Sequence, residues 1–129
     1  MRYLGIDFGL KHIGLSHAEG PLAEPLTQKS YHSLPQLLSW LNQLIKDQNI
    51  NKIIIGLPEG QLVASVKAFS SQLHNLTQLP IDYQDETLST QEAQAKLLQA
   101  HTPQKKRRQD HTAAATHILQ TYLDDHFKD

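Results

Sequence analysis

Tyr3-Leu4-Gly5-Ile6-Asp7-Phe8-Gly9-Leu10-Lys11-His12-Ile13-Gly14-Leu15-Ser16-His17 is the stretch on which the fold turns. Its first part alternates, so Tyr3 to Phe8 reads as a strand with Leu4, Ile6 and Phe8 on one face and Tyr3, Gly5 and Asp7 on the other. Gly9-Leu10-Lys11 makes a short connection into a second strand, roughly His12 to His17, that carries Ile13 and Leu15. The result is a hairpin with a carboxylate, Asp7, at the end of its first strand.

Beyond the hairpin, Pro21 and Pro25 punctuate a loop, and Leu26 to Tyr31 is a weaker strand candidate. Ser33 suits the N-cap of a helix whose Leu34, Leu37, Leu38, Leu41, Leu44 and Ile45 share one face. Lys52 to Leu57 lacks alternation, as expected of a strand buried on both sides, and Gly56 and Pro58 end it. Leu62, Val66, Phe69, Leu73 and Leu76 recur at helical spacing up to Pro80. Ile81 to Asp85 is a fifth strand candidate. Ser89-Thr90-Gln91-Glu92 has the form of a capping box, which predicts a helix from Thr90 to about Ala100. A basic loop with Pro103 follows, and Asp110 opens a last helix containing Ala113, Ala114, Ile118 and Tyr122. Strands alternating with helices give an α/β fold, a mixed five-stranded sheet with a parallel part and helices on its faces.

At 129 residues the chain reads as one domain, residues 1–129, against a prior of roughly 150 residues per domain. Hydrophobic residues at 39% and charged residues at 19% exclude a disordered chain. There is no cysteine, hence no disulfide framework and no thiol nucleophile, which suits a reducing, cytoplasmic address. The longest apolar run, Ile53-Ile54-Ile55, is far below the roughly 20 residues of a membrane span. Asp7 also interrupts the N-terminus where a signal peptide needs apolar residues. The formal net charge is −1, so no global field attracts nucleic acid. The positive charge is nevertheless clustered: Lys105, Lys106, Arg107 and Arg108 are four of the 12 basic residues.

Sites in open α/β sheets form beyond the carboxyl ends of the parallel strands. Asp7 and Glu86 fall at or just past such ends, and Gly56-Leu57-Pro58 lies at a third. Asp110 shares a helix face with Ala113, Ala114 and His117, and small alanines let that helix approach the sheet and carry Asp110 inward. Taken singly, Asp7 serves as a turn former, Glu86 as part of a solvated strand end and Asp110 as a helix N-cap. Converging, the three carboxylates need positive charge between them, and as hard oxygen ligands they suit Mg²⁺ or Mn²⁺. Two ions about 4 Å apart would activate water and stabilise the leaving oxygen of a phosphodiester; a single ion is the other arrangement the residues allow. Lys105 to Arg108, just before Asp110, and Lys11 in the hairpin connection are the basic residues placed to hold a nucleic-acid backbone. Of the eight histidines, none pairs at metal-ligand spacing; His12 and His117 come nearest the proposed site.

Gly5-Ile6-Asp7-Phe8-Gly9-Leu10-Lys11-His12-Ile13-Gly14 closely resembles the first motif of the YqgF/RuvX family of RNase H-like nucleases. Ile54-Ile55-Gly56-Leu57-Pro58 resembles its second motif and Asp85-Glu86-Thr87-Leu88-Ser89-Thr90 its third. Asp110-His111-Thr112-Ala113-Ala114, with Ile118-Leu119 and Tyr122-Leu123, resembles its last. The resemblance implies an RNase H-like fold and a divalent-metal nuclease site at Asp7, Glu86 and Asp110. It also implies a bacterial cytoplasmic role in processing the 5′ end of the small-subunit (16S) ribosomal RNA precursor. The related RuvC resolvases, which cut four-way DNA junctions, carry a second acidic residue three places after the last Asp, where this chain has Ala113. The chain also departs from the YqgF/RuvX pattern at Thr87 and His12, where Arg is common, and has a shorter segment after Pro58.

Three functions follow. The first is a metal-dependent nuclease on structured RNA, with branched DNA as the alternative substrate of a resolvase. The second is a non-catalytic nucleic-acid-binding or transcription-associated module. The third is an actin-like ATPase, since Asp7-Phe8-Gly9 also resembles a phosphate loop, but such enzymes need two domains of this kind. The sequence carries no signal of oligomeric state.

Overall fold

The computed structural model describes residues 1–58, 60–85 and 111–126. Alternation in the N-terminal stretch produces β1 (Tyr3–Phe8) and β2 (His12–Ala18), followed by β3 (Glu24–Ser30). After them come α1 (Leu34–Asp47), β4 (Lys52–Leu57), α2 (Leu62–Thr77), β5 (Ile81–Asp85) and α3 (His111–His126). The strands form one sheet in the order β3-β2-β1-β4-β5. β2 runs antiparallel to β1 and β3, while β1, β4 and β5 are parallel. The sheet is therefore mixed, and the carboxyl ends of its three parallel strands share one edge.

Alternation assigns the two faces. Leu4, Ile6 and Phe8 of β1 join Ile13 and Leu15 of β2 and the buried residues of α1 and α2 in one core. On the other face Ile54 and Ala18 pack against Ile118, Leu119, Tyr122 and Leu123 of α3. β4 sits between both cores, which is why Ile53, Ile54 and Ile55 are all fully buried and the strand shows no alternation. Ser33 caps α1 by accepting from the Gln36 N–H. α2 ends at Gln78, which turns left-handed at φ 60° and donates to the His74 carbonyl.

Two expectations need correction. The third strand begins at Glu24 rather than Leu26, and its ladder stops at Ser30. It is a largely exposed edge strand, so burial imposes little alternation on it. In the last helix, the alanine pressed to the sheet is Ala115, fully buried, whereas Ala113 is exposed and Ala114 half-buried. Ile118, Leu119 and Tyr122 fix the phase, and Ala115 lies three, four and seven residues before them. The helix expected over Thr90 to Ala100 and the basic loop lie outside the described residues. Among the described residues no helix is long and apolar enough to cross a membrane.

Candidate active site

α3 crosses β1 and β2 where their inward side chains are smallest. A Cβ on Gly5 would collide with the Ser16 hydroxyl and lie 2.8 Å from Leu119 Cβ; a Cβ on Gly14 would collide with the His111 carbonyl. Glycine is required at both positions by this close approach. Ser16, fully buried, donates to the Ala115 carbonyl at 2.7 Å, so the polar atom at the contact is satisfied. The far end of the helix is fixed differently. There the Tyr122 hydroxyl donates to Asp82 at 2.7 Å, and Lys52 pairs with the same carboxylate at 2.9 Å.

This seating sets the environment of Asp7. The residue lies one position before the end of β1, opposite Gly14, on the face that α3 covers. Its side chain is only 19% exposed. Burial pushes the Asp7 carboxyl above the ordinary carboxylate range, and the facing His111 imidazole pulls it part of the way back. His111 Nδ1 stands 3.8 Å from Asp7 Oδ2, beyond hydrogen-bond length but within reach of charge attraction when the ring is protonated. The His111 ring stacks on His12 with centroids 5.5 Å apart, and His12 Nδ1 is 2.8 Å from the Ser30 hydroxyl. A line of side chains thus links the edge strand to the carboxylate.

Of the residues named from the sequence, Asp7 and Lys11 are described: Asp7 at the strand end, Lys11 exposed in the β1–β2 connection. Leu57 ends β4 beside Asp85, the last described residue of β5. Glu86, Asp110, Lys105, Lys106, Arg107, Arg108 and Thr87 lie outside the described residues. Among the described residues no three metal-binding side chains come together. His12 does border the site, through His111. His111 itself was missed as a contact of Asp7, although the helical phase that turns Ala115 inward also turns the residue four places earlier inward.

A family model described as "RuvX: Holliday junction resolvase" matches residues 1–125. A relative from Syntrophomonas wolfei is 33% identical over 133 residues, covering 96% of this chain and 94% of its own length. One from Ruegeria sp. (strain TM1040) is 38% identical over 131 residues, covering 94% of this chain and 83% of its own. Both are named "Putative pre-16S rRNA nuclease". Among solved structures, T. thermophilus RuvC in complex with a Holliday junction substrate matches at a TM-score of 0.67 and 16% identity, covering 98% of this chain and 95% of its own. The Fowlpox virus resolvase in complex with substrate Holliday junction DNA matches at 0.65 and 9%, covering 99% and 100%. At such identities the structural likeness shows the fold alone, which is that of the RuvC-type, RNase H-like proteins.

Proposed function

Because the chain belongs to the RuvX family, we propose that it is a divalent-metal-dependent nuclease processing the 5′ end of pre-16S ribosomal RNA in the cytoplasm, with Asp7, Glu86 and Asp110 as its catalytic carboxylates and metal ligands. The observation that carries this reading is the placement of Asp7. It is a mostly buried carboxylate at the carboxyl edge of a parallel strand, on a face that glycines open to a helix. Its charged form is penalised by burial, and a cation is what would restore it. Mg²⁺ and Mn²⁺ fit this oxygen donor, and Glu86 and Asp110 would complete the ligand set. When bound, the ion supplies activation of water and neutralisation of charge on the phosphate.

The chain's own residues supply the rest. Asp7 presents its carboxylate from a strand rather than a loop, so its direction is fixed by the sheet. Lys11 holds a phosphate at the hairpin, and Lys105, Lys106, Arg107 and Arg108 hold others. These contacts position the backbone without reading sequence.

The test compares the wild type with Asp7→Asn on a precursor 16S end and on a four-way DNA junction, each with Mg²⁺, Mn²⁺ or EDTA. Metal-dependent RNA cleavage that disappears in the variant is the expected result. Junction DNA is the second reading, favoured by the resolvase–junction complexes that share the fold, and preferential junction cutting would select it. RNA that is bound but left intact under every metal condition would sink both in favour of a binding module.

A further inference from the structure

The connection between β1 and β2 displays a large apolar side chain where a tight turn needs none. Leu10 is 67% exposed, whereas Phe8 and Ile13 on either side are 6% and 0% exposed. Single exposed leucines are ordinary, so exposure alone assigns nothing. The turn that carries Leu10, however, is held from several directions. The Gly9 N–H donates to the His12 carbonyl at 3.0 Å, and the Tyr31 N–H donates to the Lys11 carbonyl at 3.0 Å. The Tyr31 hydroxyl donates to the Gly9 carbonyl. A Cβ at Gly9 would lie 2.7 Å from the His12 carbonyl oxygen, so the closure is tight. A side chain carried on a fixed turn loses little backbone entropy when it meets a ligand.

Its neighbours define that ligand. Lys11, the next residue, is exposed, and Asp7 lies three residues earlier on the covered face. An apolar group beside a cation matches a nucleotide, which offers a flat base and a charged phosphate. We infer that Leu10 is a specificity-determining residue that lies against an unpaired base flanking the scissile phosphate, while Lys11 holds that nucleotide's phosphate. The inference rests on the nuclease reading above. A leucine side chain has no donor or acceptor, so it reads neither base identity nor the 2′-hydroxyl. What it distinguishes is a base with an open face from one stacked inside a duplex.

Two labelled RNAs of one sequence test this, one single-stranded across the precursor 16S end and one closed there by a complementary strand. Binding is measured by fluorescence anisotropy in EDTA, and cleavage with Mg²⁺ or Mn²⁺, for wild type, Leu10→Ser, Leu10→Met and Lys11→Ala. Leu10→Ser is expected to lower the ratio of open to closed affinity about tenfold, and Leu10→Met to keep it within about twofold. The salt slope of binding to the open RNA should stay at the wild-type value in Leu10→Ser and flatten by about 0.7 in Lys11→Ala. Circular dichroism melting shows whether the exposed substitution leaves the fold intact. An unchanged ratio, or equal losses on both RNAs, overturns the assignment. Cleavage with an unchanged ratio overturns it and leaves the nuclease standing. A Leu10-dependent preference without cleavage keeps the contact between Leu10 and an open base but removes the nuclease, and with it the placement beside a scissile phosphate. A wild type that binds neither RNA in EDTA and cleaves neither with Mg²⁺ or Mn²⁺ removes both.

Discussion

The two faces of the sheet are packed by opposite means. Toward α1 and α2 the space is filled by bulk: Phe69 is fully buried and stacks on Phe8 at 4.4 Å among leucines and isoleucines. Toward α3 it is filled by closeness, with Gly5, Gly14 and Ser16 letting the helix backbone come down on the strands. Bulk tolerates exchange, because neighbouring side chains re-pack around a change of shape. Closeness does not, because a backbone has nowhere to go. The first face therefore sets mainly how stable the protein is, and the second sets where Asp7 and His111 stand.

The strongest way to break the contrast is at Asp7. Asp7→Asn should lower cleavage by at least about 10³-fold, read as kcat/KM on the RNA substrate. In EDTA the same variant should melt higher than wild type at neutral pH. Burial raises the folded-state pKa of Asp7, so its contribution is fully present below the unfolded carboxylate value and is lost as pH rises through the raised one. The asparagine variant does not titrate there, so the gap between the two melting curves should open from pH 3 to pH 7. A gap that closes instead would contradict the burial of Asp7.

Gly14→Val comes next. It should cost about 2–3 kcal/mol of stability by denaturant unfolding and about 10²-fold in kcat/KM, because the helix start that carries His111 must move. Phe69→Leu supplies the control from the other face: about 1 kcal/mol lost, with kcat/KM within about twofold of wild type. If Phe69→Leu damaged cleavage as much as Gly14→Val, the division of labour between the faces would be wrong.

The smallest effect is expected at the far end of α3. Asp82→Asn should cost less than about 1 kcal/mol, because that carboxylate is half exposed. Hydrogen bonds from Tyr122 and Lys52 hold the Asp82 carboxyl below the ordinary range. The stabilisation is thus present above the unfolded carboxylate pKa and fades as pH falls through the lower folded one, so the two proteins should converge on acidification.

The bulk-packed face was the legible one. Leu4, Ile6 and Phe8 at period two, and Leu37, Leu38, Leu41 and Ile45 at helical spacing, announce their partners by being apolar. The closeness-packed face has no such signature. Ala113, Ala114 and Ala115 are equally small, so residue type could not say which touches the sheet; only the phase of Ile118, Leu119 and Tyr122 decides for Ala115. The same phase would have found His111 opposite Asp7. Asp7 itself was readable because a carboxylate ending a strand has a chemical reason to be noticed, whereas Gly5 and Gly14 matter through the atoms they lack. The edge strand was half readable, since solvent accepts almost any residue on its outer side.

Ser16 and Ala115, joined by one hydrogen bond across this face, are 99 residues apart in the chain. The hairpin needs only its own residues, and β4 needs only to reach β1, but α3 cannot close on Gly14 and face Asp7 until residues 111–126 have been made. A chain still emerging from synthesis therefore carries the Asp7 carboxylate without its helix, and the candidate site is assembled only after every strand of the sheet has been made.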